Sequence, residues 1–315
     1  VKDELVGRFR IERPLGKGGM GEVLAAFDDE LERPVAVKLL HADISDVHRD
    51  RLLREAKALA QLSHPNVVQV YEVGAWNDRL FIAMELVGGR TLDTWIAEET
   101  PALARLLDVF IAAGSGLAAA HDRDLIHRDF KPTNVIIGED GRPRILDFGL
   151  ARKTGEGTPP GGEEPEEIGD DFAMLETAAP SGSGKLGESL TQTGTILGTP
   201  AYMSPEQLRG QVTDASADQF SFCVALWEAA YGRRPFGGKT VRELTLKVTR
   251  GNFTEVDTRG PARLRRALVR GLSVEADARW PNMRALLDEL SAIRSAPIRQ
   301  RRAAVSIALV SATAG

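Results

Sequence analysis

At 315 residues the chain can bury a sizeable core as one or two domains, and 43% hydrophobic with 27% charged residues describes an ordinary soluble globular protein. Its net charge of −5, with no basic stripe interleaved with aromatics, argues against nucleic acid as a partner. The single Cys223 excludes an intramolecular disulfide framework and fits a reducing cytoplasm; within FSFCVALWEAA it reads as a small buried core residue.

Residues 8 to 40 read as β structure: FRIERPLG, a glycine turn, EVLAAFD, then RPVAVKLL, where Val35, Val37 and Leu39 alternate as in a half-buried strand. The turn GKGGMGEV at 16 to 23 fits G-x-G-x-x-G-x-V, in which glycines let backbone N–H groups approach phosphates with no side chain in the way. Alone it could be a plain glycine hairpin. It joins two strands instead of opening a helix, which argues against a Rossmann dinucleotide site. The third strand supplies Lys38, whose ammonium could bind α/β-phosphates. A helix follows in RDRLLREAKALAQL, with Leu52, Ala56, Leu59 and Ala60 at helical spacing. Glu55 lies at the edge of that apolar stripe and is expected to pair with Lys38, an exposed helical glutamate being the alternative. Two further strands, VVQVYEVGA and RLFIAMELV, complete a five-stranded antiparallel lobe that ends at Gly88 and Gly89.

Beyond the glycines the pattern turns helical: LDTWIAEE, then LARLLDVFIAAGSGLAAAHD. A short strand pair around VIIG and RILDF is joined by the turn EDGR. Helices are expected again in ASADQFSFCVALWEAAYG, VRELTLKVTRG, PARLRRALVRGLS and MRALLDELSAIRS. HRDFKPTN at 127 to 134, followed 13 residues later by DFG at 147 to 149, carries the groups that phosphoryl transfer needs. Asp129 could receive a hydroxyl proton, while Asn134 and Asp147 could hold Mg²⁺ against the phosphates of ATP. Residues 154 to 190 hold nine carboxylates against Lys185, a net of −8, and are rich in Gly, Pro, Glu and Ser. Such a segment cannot bury enough apolar area to offset chain entropy and is expected to be disordered.

In these motifs the chain resembles the eukaryotic-like serine/threonine protein kinases of bacteria over roughly residues 5 to 295. The resemblance implies an α+β, bilobal fold with a kinase domain at 8–295, a small lobe at 8–87, a large lobe at 88–295 and the acidic insert within its activation segment. It implies ATP and Mg²⁺ (or Mn²⁺) as cofactors and serine or threonine hydroxyls of proteins as acceptors. Leu15, Gly16, Lys17, Gly18, Gly19, Met20 and Gly21 would cover the phosphates, and Lys38 with Glu55 would form the activating ion pair. Val23, Ala36, Ile136 and Leu146 would enclose adenine, with Met84 as gatekeeper and Glu85 to Val87 as the hinge. Asp129 becomes the catalytic base, and Asn134 and Asp147 the metal ligands. Lys131 and Thr199 are marks of the serine/threonine pattern. Glu206 in MSPEQ, where the family usually has A-P-E, is expected to pair with Arg279, and Asp218 to brace the backbone of the HRD segment.

Arg128 implies dependence on an activation-segment phosphate, for which Thr191 and Thr193 are the expected autophosphorylation sites, acting in trans within a homodimer. The acidic insert is either an inert spacer or a competitor for the bases that such a phosphate needs. Retention of Lys38, Asp129 and Asp147 argues against a pseudokinase, and GTPAYMSPEQ against a small-molecule phosphotransferase. No N-terminal signal peptide is present, and a start at Val1 is the expectation for a piece of a longer protein. Residues 296 to 315 are a basic tail, with Arg299, Arg301 and Arg302 ahead of 13 uncharged residues. The tail is either the start of a transmembrane helix, tethering a cytoplasmic kinase domain to the cell membrane, or a plain Ala-rich end.

Overall fold

The structure, a computed structural model, describes residues 4–18, 21–41, 46–148, 199–254 and 260–296. Gly19, Met20, Thr191, Thr193, the acidic insert and residues 297–315 therefore lie outside the described residues.

The small lobe forms because its apolar residues can serve two cores at once. Its antiparallel sheet comprises β1 (Leu5–Val6), β2 (Phe9–Gly18), β3 (Gly21–Asp28), β4 (Arg33–Leu40), β5 (Val70–Trp76) and β6 (Arg79–Glu85), in the order β1-β2-β3-β4-β6-β5. Six strands stand where five were expected. The extra one is two residues long, too short to show a period, and is returned onto Phe9 and Arg10. The expectation for β4 also needs correction. The strand is central and buried on both faces from Val35 to Leu40. Val35, Val37 and Leu39 pack with Phe9, Leu24 and Phe81 on one side, while Ala36 joins Met84 and Ala56 on the other. Ala56 comes from α1 (Asp46–Ala60), the helix laid against the sheet.

Gly21, at the return of the glycine turn, has φ +151°, and a Cβ there would run into the carbonyl oxygen of Leu39 on β4. Gly21→Ala should therefore lower stability by about 2 kcal/mol, read from the urea midpoint; an unchanged midpoint would mean that β3 and β4 separate there at no cost.

The large lobe is organised by two apolar helices, α3 (Leu103–His121) and α5 (Ala215–Tyr231), with α2 (Leu92–Glu99), the single-turn α4 (Pro205–Leu208), α6 (Val241–Arg250), α7 (Ala262–Gly271) and α8 (Met283–Ser295) around them. Helix α5 is buried from Ala217 to Trp227, which explains its apolar sequence on every side. Its ends are set locally: Asp214 accepts the N–H of Ser216, and Gly232 closes the helix in the left-handed conformation. Cys223 is fully buried where α5 meets Gly271 of α7; burial pushes its thiol up, so it acts as packing.

The strand pair around the catalytic segment gains a third member. β7 (Gly89–Thr91) pairs with β8 (Val135–Gly138), which pairs with β9 (Pro143–Ile145). One apolar core runs from Ala36 and Met84 in the small lobe through Phe110 and Val135 to Leu264 and Leu290.

Candidate active site

After α3 ends at His121, residues 127–131 run without regular structure up to a single 3-10 turn at Pro132–Asn134, so their backbone groups need partners from elsewhere. Asp218, fully buried in the first turn of α5, supplies two of them: Oδ2 accepts the N–H of His127 at 2.7 Å and Oδ1 that of Arg128 at 2.7 Å. The same Oδ2 lies 2.8 Å from Nε2 of His121. His127 links the segment to the DFG residues. Its Nδ1 accepts from the N–H of Asp129 at 3.2 Å, so Nε2 carries the proton and donates to the carbonyl of Leu146 at 2.8 Å. Arg128 and Asp147 both have left-handed backbones, with φ +63° and +51°. For side chains other than glycine such strain persists only where the surroundings hold it.

Asp129 is aimed by its neighbours. Lys131 Nζ donates to its Oδ2 at 2.8 Å, and Asn134 Nδ2 donates to its carbonyl at 2.8 Å and to Oδ2 at 3.2 Å. Among the described residues no donor reaches Asp129 Oδ1. Because the Asn134 amide donates inward, its oxygen is the end that could meet a cation.

The expected Lys38–Glu55 pair is corrected by the structure. Lys38, 5% exposed, reaches Asp147 Oδ1 at 2.7 Å, whereas Glu55 accepts from Arg128 at 3.3 Å. Two cations and two carboxylates meet between the lobes, and this pairing neutralises both. Buried Lys38 takes the shorter contact, and Glu55 compensates the largely buried Arg128. Helical spacing placed Glu55 on the inward edge of α1 but could not say which cation it faces, since that depends on how α1 stands against the large lobe.

The other expected nucleotide contacts converge as follows. Val23 is in register with Lys38, and Ala36 with Met84. Val23 and Leu146 are half-buried against the core, and the N–H of Leu146 is held by the carbonyl of Asn134 at 2.8 Å. Ile136 is half-buried on β8. Glu85 ends β6 with its N–H committed to the carbonyl of Gln69 and its carboxylate 3.1 Å from Arg144. Val87 follows in the irregular link to β7. Leu15 and Lys17 lie exposed on β2, and Gly18 ends that strand. A Cβ at Gly16 would meet nothing within 4 Å, so β2 is open on that side. Lys38, in register with Val23, together with the Asp147 carboxylate and the Asn134 amide oxygen is a set of groups that fits a nucleotide polyphosphate and a hard divalent cation.

Beside Lys131 lies a groove of about 530 Å³, lined among others by Asp93, Ile96, Thr133, Tyr202 and Glu228. The Tyr202 hydroxyl donates to Glu228 at 2.6 Å, and the guanidinium of Arg234 lies over the Tyr202 ring and bonds Glu228 at 3.1 Å. Burial and then the Glu228 contact push this phenol up, so it stays neutral.

Arg279, 1% exposed, makes a two-pronged pair with Glu206 at 2.8 and 2.8 Å and also donates to the carbonyls of Ser273, Ser216 and Val274. Burial pushes the Glu206 carboxyl up, but the Arg279 bonds and charge outweigh it and hold the group below its ordinary value. Thr199 begins the short turn Thr199–Tyr202, and its side chain lies outside what the structure describes. Sequence reasoning passed over His121 and Gln207. The second carried a signal, since S-x-x-Q at 204 to 207 is a helix-start pattern.

Residues 9–288 match the family model described as "Protein kinase domain". The chain is 35% identical over 306 residues to serine/threonine-protein kinase pkn2 of Myxococcus xanthus, covering 93% of this chain and 34% of that protein. Over 250 residues it is 32% identical to serine/threonine-protein kinase PrkC of Bacillus subtilis, covering 78% of this chain and 34% of that protein. It thus spans about a third of the length of these relatives. The crystal structure of the Mycobacterium tuberculosis PknI kinase domain superposes with a TM-score of 0.66 at 23% identity, over 92% of this chain and 98% of that one, which shows the shared fold. A sheet lobe and a helical lobe sharing one apolar core thus have a common source: the chain belongs to the protein kinase family, and its relatives are bacterial serine/threonine protein kinases.

Proposed function

We propose that this chain transfers the γ-phosphoryl group of Mg-ATP to serine or threonine hydroxyls of protein substrates. The observation that carries the reading is the Asp129 carboxylate, fixed by Lys131 and Asn134 and joined through His127 and Leu146 to Asp147. Mg-ATP supplies the electrophilic phosphorus, with its charge spread by the metal. The chain's residues do the positioning. Asn134 and Asp147 would hold the metal, Lys38 the phosphates, and Asp129 Oδ1 orients the acceptor hydroxyl and takes its proton. Lys131, 2.8 Å from Asp129, adds positive charge where the transferred group gains negative charge. Incubation with Mg-ATP and a protein acceptor, followed by mass spectrometry, should find phosphoserine and phosphothreonine; phosphotyrosine as the main product would overturn the acceptor class.

Control of this site is proposed to run through Arg128. Its Nε is buried with no hydrogen-bond partner, so the guanidinium has donor capacity beyond Glu55. A phosphate on Thr191 or Thr193 would satisfy it and release Glu55 toward Lys38. Replacing both threonines by alanine should lower turnover at least tenfold after preincubation with Mg-ATP. Undiminished turnover by the double variant would remove this role.

A further inference from the structure

Gln207 is the third residue of α4, and with Ser204 it forms a capping box: Ser204 Oγ accepts the N–H of Gln207 at 3.4 Å, and Gln207 Oε1 accepts the N–H of Ser204 at 3.0 Å. Glutamate serves such a box equally well. An amide adds a donor, and the structure uses it: Gln207 Nε2 donates to the carbonyl of Arg128 at 2.8 Å. The orientation of the amide follows from its partners. One is a backbone N–H and the other a backbone carbonyl, and a flipped amide would set donor against donor and acceptor against acceptor.

That carbonyl belongs to the peptide unit between Arg128 and Asp129. The N–H of the same unit is bonded to His127 Nδ1 at 3.2 Å, and the N–H of Arg128 to Asp218 at 2.7 Å. The plane from which the Asp129 side chain springs is therefore pinned at both ends, next to a residue held at φ +63°. Without the Gln207 bond the carbonyl end is loose, and rotation of the plane swings the carboxylate away from its line.

We propose that Gln207 is a positioning residue for phosphoryl transfer, fixing the Arg128–Asp129 peptide and through it the aim of Asp129. The proposal rests on Asp129 being the base. Gln207→Glu keeps the capping box and removes the donor. It sets a carboxylate oxygen against the Arg128 carbonyl, so it should melt modestly below the wild type, with kcat lowered about 10- to 100-fold, KM for ATP and acceptor changed less than about twofold, and faster amide exchange in residues 126–131. Ser204→Ala, which weakens the box and keeps the donor, should melt lower with kcat retained. Wild-type kcat in Gln207→Glu, or an equal loss of kcat in Ser204→Ala, would overturn the proposal. If the carboxylate variant does not fold, Gln207→Met removes the same donor at similar volume and carries the same expectation for kcat. Asp129→Asn run alongside separates the two failures: an active Asp129→Asn removes the base, whereas an impaired one beside an unimpaired Gln207→Glu removes only the positioning role.

Discussion

Asp129→Asn should lower the rate of phosphoryl transfer by roughly 10²- to 10⁴-fold while nucleotide affinity stays at the wild-type level. The asparagine can keep the local geometry. Its oxygen can face Lys131 and Asn134, which now bond Asp129 Oδ2, and its amide nitrogen then points where Oδ1 did. What it cannot do is take a proton from the acceptor. Nucleotide affinity is spared because the residues proposed to meet the phosphates are Lys38 and the glycine turn, not Asp129. The measurement is phosphate incorporation under single-turnover conditions, with nucleotide binding followed separately. Equal incorporation by the two proteins would refute the assignment of the base.

Glu206→Gln should cost roughly 3–5 kcal/mol in unfolding free energy, because it leaves the Arg279 guanidinium buried without its counter-charge. Urea denaturation at neutral pH reads this directly. The pH dependence has a definite sign. The folded-state value of the Glu206 carboxyl is depressed, so its contribution is complete above the ordinary carboxylate value near 4.5 and is lost as pH falls through the depressed value. The gap between wild type and Glu206→Gln should therefore be widest at neutral pH and narrow in acid. A gap that is absent at neutral pH would mean that the carbonyls of Ser216, Ser273 and Val274 suffice for Arg279.

The residues proposed for catalysis stood out in the sequence because Asp129, Asn134 and Asp147 lie within 19 residues, on either side of the apolar runs that form β8 and β9. Asp218 and Arg279 were reached by resemblance, and the structure shows the physical need each answers: unpaired backbone N–H groups in one case, a buried carboxylate in the other. β1 and β7 were not legible, since no period shows in runs of two and three residues, whereas the equally short β9 was marked by the turn EDGR that joins it to β8. Neither was the partner of Glu55. Sequence spacing reports which face of a helix a residue occupies, while the choice between Lys38 and Arg128 is made by the distance of α1 from each lobe. Gln207 was passed over because S-x-x-Q announces only a helix start, whereas its bond to the Arg128 carbonyl depends on how two distant segments meet.

The exchanged pairing also sets how the two lobes answer to salt. Lys38–Asp147 and Arg128–Glu55 each join a small-lobe residue to a large-lobe residue, so the cleft is held by two ionic latches. Both set a sheltered cation against a wetter carboxylate: 6% of the Lys38 side chain and 37% of Asp147 are exposed, against 17% of Arg128 and 25% of Glu55. Dissolved ions therefore reach the carboxylate side of each latch. Rising ionic strength should thus weaken both together, making cleft opening a single graded response to the medium.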